Sequence, residues 1–237
     1  MSNWRQPDRA IEAVAREFSA KWEACNGSSP AGYLTMGRKR ISLDVVVIAL
    51  RKTTSSAPSK PRLRFDRVAL GLIRRLQTAL AQSVPAGHTV VITVTAPIRL
   101  ASRTTFEMAE AIRQRLGRRP ARLEIDEMMN GNRIQARLMK DVSRRASKVV
   151  GYVHNPDSDP QTLFDITEVL LRHIGAAVRK RAVGKFAGDR WLALVCGEGG
   201  CPYFETYQQV FSQLAIPTGF DKVLLVLPAG RVGTLAA

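Results

Sequence analysis

Three cysteines, three histidines and an aromatic content of 6% leave this 237-residue chain poor in the side chains used for covalent staples, metal sites and stacking surfaces. Cys25, Cys196 and Cys201 are too few for a disulfide framework. Cys196 and Cys201 bracket Gly197-Glu198-Gly199-Gly200 and have no histidine nearby to complete a zinc site. Reduced thiols in a cytoplasm are therefore expected. His88, His154 and His173 are scattered, and no metal site is expected from them. Long apolar runs are missing too. The strongest, 45–50 and 223–227, have strand length and fall far short of the ~20 residues a membrane helix needs. No secretory signal is expected, because Arg5, Asp8, Arg9 and Glu12 stand where its apolar core would begin. Neither a G-x-S-x-G elbow nor an H-E-x-x-H pair occurs, and no cofactor fingerprint is complete.

Acidic residues are the remaining shortage. Lys and Arg number 36 against 20 Asp and Glu, for a formal net charge of +16. The imbalance is local: residues 1–155 hold 28 basic and 12 acidic residues, whereas residues 156–237 hold 8 of each. Arginine supplies 27 of the 36 basic residues. Its planar fork grips two phosphate oxygens at once, while lysine acts as a point charge. Such a footprint points to an anionic partner, nucleic acid first.

Periodicity indicates an α/β or α+β chain with a mixed sheet and flanking helices. Ile11, Val14, Phe18 and Trp22 predict a helix over 8–25, closed by Asn26-Gly27-Ser28-Ser29-Pro30. The run 40–50 predicts a central strand buried on both faces, interrupted by Asp44, and 52–62 a Ser/Pro/Lys loop. Further helices are predicted over 65–81, 104–116, 162–178 and 203–214. Strands are predicted over 88–96, 122–128, 133–142, 148–154, 191–196 and 222–227. Asn130-Gly131 marks a hairpin turn. Phe-Asp recurs at residues 65 and 164, Phe-Glu at 106 and 204, and Arg-Ile at 40 and 133. These recurrences suggest two related β-α-β-α-β halves. A cut near residue 120 would leave a basic α/β unit, 1–120, and a second unit, 121–237, with a neutral C-terminal part. A single continuous domain is the alternative.

Two places invite an anion. The loop 95–105 puts Arg99 and Arg103 at a helix start, where free N–H groups favour phosphate, although plain capping by Ser102 or Thr104 explains it as well. The densest basic stretch holds Arg113, Arg115, Arg118, Arg119, Arg122, Arg133, Arg137, Arg144 and Arg145. Arg133 and Arg137 lie an even number apart and share a strand face. Interleaved aromatics are missing, which disfavours base stacking on single strands. The Gly-rich turn 197–202 lacks the Lys-Ser/Thr of a phosphate loop, and His154 beside Asn155–Asp159 reads as a capped turn.

A basic α/β layout bears comparison with the restriction-endonuclease-like nucleases. Their metal chemistry needs an E-x-K or D-x-K tripeptide, and neither occurs in this chain. The expectation is a non-enzymatic nucleic-acid-binding protein that contacts mainly phosphate. Its neutral remainder, 156–237, is then free for a partner or a second copy in a homodimer. One alternative is an enzyme for a phosphorylated or nucleotide-like substrate, with Asp44 facing the 95–105 loop. The other is an adaptor whose arginines meet an acidic protein partner.

Overall fold

The computed structural model describes residues 6–25, 30–49, 62–119, 122–140, 147–181, 186–197, 204–214, 216 and 218–237. Its helices are α1 (Gln6–Glu17), α2 (Arg67–Leu80), α3 (Ala101–Arg118), α4 (Pro160–Arg181) and α5 (Phe204–Leu214). Its strands are β1 (Lys21–Ala24), β2 (Gly32–Met36), β3 (Lys39–Ile48), β4 (His88–Thr95), β5 (Glu124–Met129), β6 (Asn132–Lys140), β7 (Val149–His154), β8 (Asp189–Cys196), β9 (Lys222–Val226) and β10 (Val232–Ala236). The fold is α/β, with two mixed sheets ordered β1-β2-β3-β8-β9-β10 and β5-β6-β4-β7. No helix among the described residues is long and apolar enough to cross a membrane.

The chain divides into two compact units that interleave along the sequence. The first takes Met1–Thr53, His173–Gln208 and Thr218–Ala237; the second takes Thr54–Arg172 and Gln209–Pro217. A cut at residue 120 would run through the second sheet, because β4 pairs with both β6 and β7. The expected repeat is not followed by the pairing either. β3 lies between antiparallel β2 and parallel β8, whereas its supposed counterpart β6 lies between two antiparallel neighbours.

In the first unit, α1 lays Ile11 and Val14 on Leu34, Ile41, Leu43, Ala193 and Leu224 of the sheet. The helix expected over 8–25 stops early. The N–H of Ala20 donates to the carbonyl of Ala15 and that of Ser19 to Arg16, with Ser19 at φ 50°. This is a Schellman closure with serine in the left-handed position that glycine usually takes. Trp22 then pairs with Leu34 as part of β1. β2 and β10 are strands that the sequence reading left out. β3 is internal by pairing, but Val47 on it is 40% exposed, so the expected two-sided burial is incomplete. Cys25 is free and Cys196 is disulfide-bonded, so the expectation of reduced thiols fails for Cys196.

In the second unit, α2 and α3 cover one face of the four-stranded sheet. Leu72, Leu76, Met108 and Ile112 close over Val90, Ile92, Val94, Ile125, Ile134 and Ala136. On the other face the Tyr152 hydroxyl and Thr167 of α4 share a buried hydrogen bond of 2.9 Å. The Asn130-Gly131 turn joins β5 to β6 as expected, both residues at positive φ. Gly151 on β7 marks the closest approach of α2: a Cβ placed there collides with Cδ1 of Ile73. Gly151→Ala should therefore destabilise the protein by about 1–3 kcal/mol through overpacking. Adding Ile73→Val, which removes that Cδ1, should recover part of the loss. Urea unfolding of both variants measures this, and a neutral Gly151→Ala would show that α2 yields at this contact.

Candidate functional site

All the candidate arginines that are described belong to the second unit, and α3 carries four of them. Its apolar positions Met108, Ala109, Ile112 and Leu116 recur at helical spacing and turn Arg103, Arg113, Arg115 and Arg118 outward. The N-terminal end differs from expectation. Neither Ser102 nor Thr104 caps the helix; Leu100 holds the cap position at φ 45° with no side-chain cap bond. Thr104 Oγ1 donates to the carbonyl of Arg99, and Ser102 Oγ accepts from Arg75. The Arg99 backbone is fixed from elsewhere. Asn132, at the start of β6, accepts from the Arg99 N–H at 2.7 Å and donates to its carbonyl at 2.9 Å. Asn132 is 1% exposed and also bonds Thr104 and the Met129 carbonyl, so one amide ties the 99 loop, the helix and the hairpin together. Sequence reasoning missed it, although a polar residue just after an Asn-Gly turn was a usable signal.

Ion pairing sorts the arginines into two groups. Arg103 is bonded to Glu107 at 2.9 Å, Arg113 to Glu110 and to the Ala79 carbonyl, and Arg115 to Glu127 of β5. Arg133 forks Asp126 at 3.2 and 3.1 Å. The hydrogen bonds from Arg133, then from Gln135, hold the Asp126 carboxyl below its usual range, and the Asp126 carboxylate raises Arg133 in turn. Arg137 lies over the Phe164 ring at 4.6 Å. Arg99, Arg118, Arg119 and Arg122 are exposed and make no side-chain ion pair among the described residues.

The basic stretch is thus not one continuous surface. Ile125 and Met129 of β5 pack toward α3, and Glu127 between them takes Arg115. Asp126 pairs across with Gln135 and Glu124 with Arg137, on the opposite face. The sheet therefore separates Arg133 and Arg137 from the arginines of α3. Arg144 and Arg145 lie outside the described residues. What converges is a cleft of ≈ 530 Å³ lined by Arg115, Arg118, Arg119, Arg122 and Glu124. It sits at the C-terminal end of α3, where the partial negative charge of the helix offsets part of the repulsion among guanidinium groups. Chemically it is a concave surface with one carboxylate and several forked donors, suited to an anion.

Asp44, which the enzyme alternative places facing the 95–105 loop, lies on β3 in the first unit, and Arg99 and Arg103 lie in the second. The 155–159 segment is a capped turn, as read. Asp159 accepts from the Gln161 N–H at 2.9 Å and from Thr162, opening α4. Among the described residues no group of three or more His, Cys, Asp and Glu comes together to hold a metal ion.

His154, 2% exposed at the end of β7, donates from Nδ1 to the Asn155 carbonyl at 2.9 Å. Burial pushes its pKa below the ordinary 6.5, outweighing that hydrogen bond and the carboxylates of Asp159 and Asp157; Arg133 also lowers it. The folded protein thus holds this ring neutral, while the unfolded chain takes up a proton below about pH 6.5. Its contribution to stability is complete above that value and is lost as pH falls through the lower, folded pKa. Between pH 7 and pH 5 the urea midpoint should fall more for the native chain than for His154→Asn, which keeps a donor near Nδ1 and does not titrate. Equal slopes in the two proteins would remove His154 as the cause.

Compared with known proteins, the chain matches no family model, no curated protein and no solved structure.

Proposed function

We propose that this chain binds nucleic acid through phosphate contacts, without catalysis, at the cleft that closes the C-terminal end of α3. The observation that carries the reading is the lining of that cleft: four arginines against one glutamate, with Arg118, Arg119 and Arg122 uncommitted to any carboxylate among the described residues. A guanidinium already paired within the fold must break that pair to reach a phosphate. An unpaired one exchanges only water and a mobile counterion. The net charge of +16 adds long-range attraction that brings a polyanion to the surface before any contact forms.

Contacts of this kind position the ligand and do not read its sequence. Binding is then weakly sequence-specific and falls steeply with salt. Each phosphate neutralised on a duplex contributes a slope of about −0.9 in log K against log salt. Changing Arg118, Arg119 and Arg122 together to Ala should make that slope shallower by about 2–3 and weaken binding to labelled duplex DNA equally across sequences. Arg133→Ala and Arg137→Ala should leave the slope unchanged, because those side chains serve Asp126 and Phe164. Fluorescence anisotropy at several salt concentrations measures all of these. Loss of affinity on changing Arg133 or Arg137, with the triple variant unaffected, would move the site to the other face of the sheet. No binding to DNA or RNA at low salt would overturn the reading.

A further inference from the structure

The outward side of α2 is built differently from the cleft. Asp66 caps the helix by accepting from Val68 and Ala69 N–H, and Ala69, Leu72, Leu76 and Leu80 are buried. That packing leaves a groove of ≈ 700 Å³, mostly apolar in its walls, lined by Arg67, Val68, Leu70, Gly71, Arg74, Arg75 and Ala101. Val68 is 50% exposed and Leu70 38%. The lining holds three arginines and no acid. Arg67 and Arg74 make no side-chain ion pair among the described residues, and Arg75 reaches only the Gly71 carbonyl and Ser102.

Gly71 of α2 lines the groove. A glycine inside a helix costs about 1 kcal/mol relative to alanine. Packing among the described residues does not require it, since there an added Cβ would meet only a guanidinium nitrogen of Arg75 at 3.9 Å. Its missing side chain leaves a notch in the middle of the groove.

The chemistry of the lining selects the occupant. Phosphates gain nothing from Val68 and Leu70. The segment that precedes α2 in the sequence, 51–61, carries Arg51, Lys52 and Lys60 and no acid, so it does not complement an arginine rim. In a two-fold pairing of copies through this face, arginine would meet arginine. We propose that the α2 groove docks a short acidic amphipathic segment of a partner protein, its apolar side chains on Val68, Leu70 and the Gly71 notch and its carboxylates on Arg67, Arg74 and Arg75.

The test is selection from a random 16-residue peptide phage library on the full chain, followed by anisotropy titration of the enriched peptides. The expected result is enrichment of peptides with apolar residues spaced three and four apart and flanked by Asp or Glu. Their affinity should fall at least tenfold with Gly71→Trp, which fills the notch, and with Arg67→Glu/Arg74→Glu. It should change less than threefold with Gly71→Ala, which also reports on whether the helix tolerates a side chain there. Duplex DNA affinity should be unaffected by Gly71→Trp, which separates this site from the α3 cleft. The proposal is overturned if nothing is enriched, or if enriched peptides lack the acidic–apolar pattern or bind Gly71→Trp as tightly. A dimer abolished by Gly71→Trp, or DNA affinity lost with it, would also overturn it by assigning the groove to a second copy or to nucleic acid.

Discussion

Along β4, residues Thr89 to Val94 are each no more than 1% exposed, and the second unit is arranged around keeping them so. A strand sealed on both faces must be internal, and its two edges must also be satisfied. β6 takes one edge antiparallel and β7 takes the other parallel. A parallel neighbour cannot follow through a tight hairpin, so the chain must leave and return. It does so through α3 and the β5–β6 hairpin. Two helices are needed to cover the Val90, Ile92 and Val94 side, and α2 and α3 supply them. The exposed faces of those helices then inherit the arginines, because the apolar positions are already committed inward. Both proposed surfaces are by-products of one strand's burial.

The strongest elements were legible because their own residues carried the reason. β4, β8 and β9 are runs rich in branched apolar residues, bounded by turn formers, and the Asn-Gly hairpin states its geometry in two letters. The errors came where local pattern and pairing disagree. Trp22 falls in phase with Ile11, Val14 and Phe18, so helix periodicity ran through a closure that only Ser19's positive φ reveals. β1 is four mostly exposed residues, and nothing in Lys-Trp-Glu-Ala suggests a strand until β2 lies beside it. Sheet membership was least visible. No periodicity says that β3 pairs with β8, which lies on the other side of residue 120 in the sequence.

The candidate site was half legible for a related reason. Charge excess is a property of composition and reads directly. Which guanidinium is spare depends on where carboxylates end up. Glu107 and Glu110 could be matched to Arg103 and Arg113 by helical spacing alone. Glu127 beside Arg115, Asp126 under Arg133 and Phe164 beneath Arg137 come from other elements and needed the fold. With these pairings made, three neighbouring arginines of the basic stretch, Arg118, Arg119 and Arg122, are left without an ion pair among the described residues.

The interleaving of the two units has a temporal side. β3 ends at Ile48, and β8, its parallel neighbour, is complete only at Cys196. A ribosome adding about 5–20 residues per second needs roughly 7–30 s to cover that interval. Throughout it, one edge of β3 offers unpaired N–H and C=O groups next to Val45, Val46 and Val47, and every strand of the second sheet is synthesised within the same interval. The entropy of closing so long a loop grows only slowly with its length, so the delay costs little final stability. It is a cost in exposure: the first sheet is begun before the second and finished after it, and its growing edge must stay unpaired with other chains in the meantime.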